Sequence, residues 1–90
     1  MKVEFAPSFE KDITSLRDAG LRSRLAKMIV RLEEARSLAD VPQVKALSGH
    51  GTYYRCRIGD YRLGFEMDGD ILRLLRFLDR KEIYRRFPPT

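Results

Sequence analysis

Tyr53-Tyr54-Arg55-Cys56-Arg57-Ile58-Gly59-Asp60-Tyr61-Arg62-Leu63-Gly64-Phe65-Glu66-Met67 contains two strand-like runs joined by Gly59-Asp60. A Gly-Asp pair between alternating runs is a two-residue hairpin signal. Such a turn sets the register: Ile58 faces Tyr61, Arg57 faces Arg62, Cys56 faces Leu63 and Arg55 faces Gly64. Side chains alternate between the two faces of a strand. Tyr54, Cys56 and Ile58 therefore share one face with Tyr61, Leu63, Phe65 and Met67. That face is apolar and needs covering. Arg55, Arg57 and Arg62 share the other, where like charges directly opposite cost up to ~1 kcal/mol. Glu66 is the nearest acid on that face. A sheet face kept soluble by charge would be better served by lysine alternating with glutamate. Three arginines beside Gly64, with room for a ligand to approach, suit a polyanion.

Outward from the hairpin, the remaining elements follow. Lys2–Phe5 alternates and predicts a strand. Pro7-Ser8 ends it, with Ser8 placed to cap a helix carrying Phe9, Ile13 and Leu16. Gly20 is expected to stop that helix. A second helix is expected from about Leu21 to Leu38, with the apolar stripe Leu25, Met28, Ile29, Leu32 and Ala35. Asp40-Val41-Pro42 ends it. Gln43 to Thr52 is expected to be a connector anchored by Leu47, and Ser48-Gly49-His50-Gly51 is flexible by composition. Ile71–Leu78 makes a third strand-like run after Asp68-Gly69-Asp70. The tail from Asp79 adds a helical turn that would set Arg80 and Tyr84 on one face, before Pro88-Pro89. The fold class expected is α+β: an N-terminal strand and two antiparallel helices packed on an antiparallel sheet of three further strands, in the order β-α-α-β-β-β. Residues 1–90 are read as one domain.

Composition narrows the function. The 90 residues are 43% hydrophobic and 34% charged, too apolar for a disordered tail. No apolar run approaches the ~20 residues of a membrane span, and the start has no secretory h-region. A cytoplasmic protein with no membrane role is expected. The single cysteine, Cys56, forms no internal disulfide, and no Cys/His cluster or cofactor motif stands out, so no cofactor and no metal are expected. The net charge is +5, from 18 basic and 13 acidic residues. After Thr52 the basic residues are arginines except for Lys81. Arginine's planar fork holds phosphate in a fixed geometry.

The runs Leu47-Ser48-Gly49, Tyr54-Arg55-Cys56-Arg57-Ile58-Gly59-Asp60-Tyr61-Arg62-Leu63 and Asp79-Arg80-Lys81-Glu82-Ile83-Tyr84 resemble the RelE/ParE superfamily of bacterial toxin–antitoxin toxins. The opening, Phe5-Ala6-Pro7-Ser8-Phe9-Glu10-Lys11, is similar as well. The resemblance implies a fold matching this element order. For the RelE-like branch it implies metal-independent cleavage of mRNA on the ribosome, with the ribose 2′-OH attacking the adjacent phosphate, and a partner antitoxin. Its catalytic positions fall on Arg55, Arg57, Arg62, Arg80 and Tyr84. RNA contacts are expected from Arg55, Arg57, Arg62, Arg73, Arg80, Lys81 and Arg85. Two departures stand out. Arg55 and Arg57 occupy positions where studied RelE members carry lysines, and arginine is no proton acceptor. Asp79 replaces a frequent His or Lys, and is expected to pair with Arg80 or serve as a base. His50 is a further candidate base. The alternatives are a ParE-like inhibitor of DNA gyrase, or an inert relative that only binds an antitoxin.

Overall fold

The structure, a computed structural model, describes residues 1–49 and 51–88. Lys2–Phe5 forms β1, Pro7–Thr14 forms α1 and Ala19–Glu34 forms α2. A 3-10 turn at Leu38–Asp40 leads into β2 (Val44–Ala46), β3 (Tyr53–Ile58), β4 (Tyr61–Asp68) and β5 (Ile71–Asp79), and α3 (Arg80–Arg86) follows. The sheet order is β1-β5-β4-β3-β2. The class is α+β, as expected, but the sheet is larger than expected and mixed in direction. β1 joins it parallel to β5, Lys2 pairing with Ile71, whereas the other neighbours are antiparallel. Part of the expected connector is β2, which pairs Val44, Lys45 and Ala46 with Cys56, Arg55 and Tyr54. Three residues are too few for alternation to announce a strand.

The hairpin register agrees with the sequence pair for pair: Ile58 with Tyr61, Arg57 with Arg62, Cys56 with Leu63 and Arg55 with Gly64. Gly59 supplies φ 60° at the first turn position, the backbone a type II′ hairpin demands. The inner face carries Cys56, Ile58, Leu63, Phe65, Leu72, Leu74 and Phe77 against Phe9 of α1 and Leu21, Leu25, Met28 and Leu32 of α2. Burying each large side chain of this set contributes roughly 1.5–3 kcal/mol. The connector's buried anchor is Val41, at 1% exposure, while Leu47 is only half-buried.

The helix ends differ from the expected ones for identifiable reasons. Ser8 does not cap α1. Ala6 holds the cap position, and Ser8 Oγ donates to the Leu75 carbonyl (2.6 Å). α1 ends at Thr14, and Asp18 starts α2 by accepting from the Leu21 N–H at 3.0 Å. Gly20 therefore lies in the first turn of α2 and is no stop signal. A strong aspartate cap outweighs the modest cost of glycine in a first turn. α2 ends at Glu34, short of Leu38, because Ser37 and Asp40 cap each other around a new 3-10 turn.

α1 is tied to β5 where the β4–β5 ladder slips by one residue after Gly64. Asp12 accepts from Arg76 Nε (2.8 Å), Arg76 Nη2 (2.9 Å) and the Phe77 N–H (2.9 Å). The Asp12 hydrogen bond holds the Arg76 proton more tightly than usual, against the opposing effect of partial burial. Among the described residues no helix is long and apolar enough to cross a membrane.

Candidate nucleic-acid interface

β3 and β4 turn Arg55, Arg57 and Arg62 to the sheet face away from α1 and α2, as their parity requires. With Pro42, Gln43, Lys45 and Tyr84 they line a surface cavity of about 480 Å³. Among the described residues no carboxylate lines it, and their ion pairs use other groups. Glu66, the nearest acid expected, accepts from Thr52 Oγ1 at 3.3 Å and sits between Tyr53 and Arg73 in the ladder. The arginines are not free of internal contacts. Arg62 donates to the Gly59 and Tyr61 carbonyls, both at 2.9 Å, which fixes its guanidinium beside the turn.

Tyr84 joins the cavity from α3. Its ring lies 4.8 Å from the Arg55 guanidinium carbon, a cation–π distance. It is 66% exposed, so it does not serve to pin the tail. Ile83 and Phe87, both buried, do that on its flanks. Phe87 packs edge-on to Tyr53, with ring centroids 5.6 Å apart. It also covers Gly64, where a Cβ would stand 2.9 Å from three ring atoms. The expected opening for a ligand at Gly64 is therefore filled by the chain's own Phe87. The glycine serves a docked helix, and the ligand space lies beside it.

The other expected residues are placed differently. Arg80 opens α3, exposed, with its N–H on the Asp60 carbonyl (2.9 Å), and does not line the cavity. Lys81 is exposed on the same turn. Arg73 lies 3.6 Å from Glu4, and Arg85 lies 3.9 Å from Glu82, which Arg86 approaches at 3.1 Å. Asp79 neither pairs with Arg80 nor faces the cavity. Its Oδ1 caps α3, accepting from the Lys81 and Glu82 N–H groups at 3.0 Å each. His50 lies outside the described residues. Lys45 was missed by sequence reasoning. Its strand pairing with Arg55 brings it to the cavity, and the three-residue β2 is too short for the sequence to announce it. Cys56, fully buried behind Arg55 and Arg57, has its thiol pushed up to about 11 by desolvation, with Arg31 pulling the other way.

A basic sheet face clasped by a C-terminal helix, over a β-α-α-β-β-β-β-α chain, belongs to the RelE/ParE superfamily of toxins. Residues 3–84 match the family described as the ParE toxin of type II toxin–antitoxin systems, parDE. The chain is 39% identical to Toxin RelE3 of Methanocaldococcus jannaschii over 89 residues, spanning 98% of this chain and 100% of that one. It is similar to the solved RelB–RelE antitoxin–toxin complex from Methanococcus jannaschii, with a TM-score of 0.79 and 35% identity over 94% of this chain and 99% of that one. The archaeal RelE–RelB complex from Pyrococcus horikoshii OT3 gives a TM-score of 0.69 and 25% identity, over 88% and 93% of the two chains. The chain belongs to the ParE toxin family of type II toxin–antitoxin systems.

Proposed function

We propose that this chain is a toxin that cuts mRNA on the ribosome in the cytoplasm, and that a cognate antitoxin restrains it. One observation carries the reading: Arg55, Arg57, Arg62 and Lys45 line a single cavity beside exposed Tyr84, with no carboxylate among the described residues that line it. In the proposed reaction the ribose 2′-oxygen attacks the neighbouring phosphorus and the bond to the 5′-oxygen breaks. Negative charge grows on the phosphoryl oxygens in the transition state. Fixed guanidinium groups aimed at that charge stabilise it without reorganising. Tyr84 stacks on a base or orients the backbone. Arginine does not give up its proton, so among the described cavity-lining residues only Lys45 and Tyr84 can exchange one with the RNA. The solved relatives contain antitoxin chains, which supports an antitoxin partner here.

The test is cleavage of ribosome-bound mRNA, read by primer extension. Arg55→Ala and Arg57→Ala are each expected to slow it by roughly 10²–10³-fold. Lys45→Arg, which keeps the charge but removes the exchangeable amine, is expected to slow the chemical step and leave binding intact. Unimpaired cleavage by the two alanine variants would remove the assigned site. A second reading is favoured by the ParE description of the matched family and by arginine at two of the outer β3 positions, Arg55 and Arg57. In that reading the chain binds and inhibits DNA gyrase. Intact mRNA together with blocked supercoiling would select it.

A further inference from the structure

We propose that the outer stripe of α2 is a second phosphate-binding subsite, which receives the RNA strand as it leaves the arginine cavity. This inference rests on the RNA-binding reading above. Arg24, Lys27 and Arg31 recur at i, i+3 and i+7, and so form one stripe along the helix. With Arg57 and Gln43 they line a second surface cavity, of about 270 Å³. Arg57 and Gln43 line both cavities, so the basic surface is continuous. Gln43 fixes the junction from both sides. Its carbonyl accepts the Arg57 N–H at 3.1 Å, and its Oε1 accepts from Arg31 Nη1 at 3.2 Å. Arg24 reaches the hairpin turn. A Cβ at Gly59 would stand 2.7 Å from its Nη1.

The stripe is unbalanced. Like charges three and four residues apart weaken a helix; no acid lies between Ala19 and Leu32, and the nearest at helical spacing is Glu34, three residues beyond Arg31. Among the described residues no carboxylate lines the second cavity, and their ion pairs leave these four cations out. A continuous, flexible polyanion fits such a path from the sheet face around Arg57 onto α2. Single-stranded RNA is favoured over an acidic peptide because the same path begins at an exposed aromatic ring, which a base can cover and a carboxylate cannot.

The experiment measures binding of 2′-O-methyl RNA, which cannot be cleaved by attack of its 2′-oxygen. A tetranucleotide and a dodecanucleotide are compared by fluorescence anisotropy across a salt series. The protein is the full chain, and the variant is R24Q/K27Q/R31Q, its folding checked by an unchanged melting temperature. The variant is expected to bind the dodecanucleotide at least about tenfold more weakly and the tetranucleotide equally well. Each cation withdrawn from a single strand's phosphates lowers the salt slope by about 0.7, so the slope for the longer probe should fall by about 2. An unchanged slope and affinity for the dodecanucleotide would overturn the proposal. So would equal weakening on both probes, a wild-type chain that binds neither, or a variant that fails only to bind its antitoxin. Failure of the nuclease reading shows up separately, as intact mRNA on ribosomes treated with the wild-type chain.

Discussion

Adding one methyl group at Gly64 would place it 2.9 Å from three ring atoms of Phe87. Phe87 is 5% exposed and held by Tyr53, so the ring has little room to give. Gly64→Ala is expected to destabilise the fold by about 1–3 kcal/mol and to lift Tyr84 from Arg55. Thermal denaturation reads the first effect. The Arg55 side-chain NMR resonance, shifted by the Tyr84 ring, reads the second. In a Phe87→Ala background the same substitution should cost almost nothing, because the clash is gone. Equal costs in both backgrounds would show that Gly64 and Phe87 are not coupled. This residue marks a limit of the sequence as well. The parity that puts Gly64 on the arginine face is readable, because Gly59-Asp60 leaves one register. What fills the space above it is not, because Phe87 lies on an element whose docking depends on tertiary packing. Lys45 was hidden for a related reason, since its place in the cavity follows from a pairing with Arg55 that no local pattern records.

At the scale of elements, α1 is held to β5 by a carboxylate as well as by apolar packing. Asp12 satisfies a guanidinium and a backbone N–H at the point where the β4–β5 ladder slips. Asp12→Ala would leave both donors half-buried and unpaired, a loss of roughly 2–4 kcal/mol. Urea unfolding checks it, and a loss below ~0.5 kcal/mol would place this pair with ordinary surface ion pairs. The elements themselves were mostly readable. β1, β3, β4, β5 and α2 carry enough residues for their periods to show. Their ends were less so, because Asp18, Ser37, Asp40 and Asp79 act as local caps that compete with the apolar pattern. Asp79 shows the cost of reading a residue alone: as part of the motif it suggested a partner for Arg80 or a base, and in the fold it starts a helix.

For the molecule as a whole, the buried Cys56 thiol sets an alkaline boundary. Its pKa is raised to about 11 by burial from an ordinary 9.0. The folded chain thus keeps a proton that the unfolded chain sheds earlier. The stabilisation is fully present below pH 9 and is lost as pH rises toward 11. Two units correspond to a loss on the order of 2–3 kcal/mol. Unfolding free energies measured across that range should fall, and Cys56→Ala should flatten the fall. A slope equal in both proteins would assign the alkaline loss to other groups.

The sheet also imposes an order on its own assembly. β1 is synthesised well before its partner, which begins at Ile71. Pairings so far apart in sequence form slowly. Until β5 emerges, the leading strand has no neighbour to join. The clasp that carries Tyr84 lies further along still, so a growing chain cannot bear a finished cavity. The basic cavity is thereby complete only once the hairpin and α3 have both been made and docked.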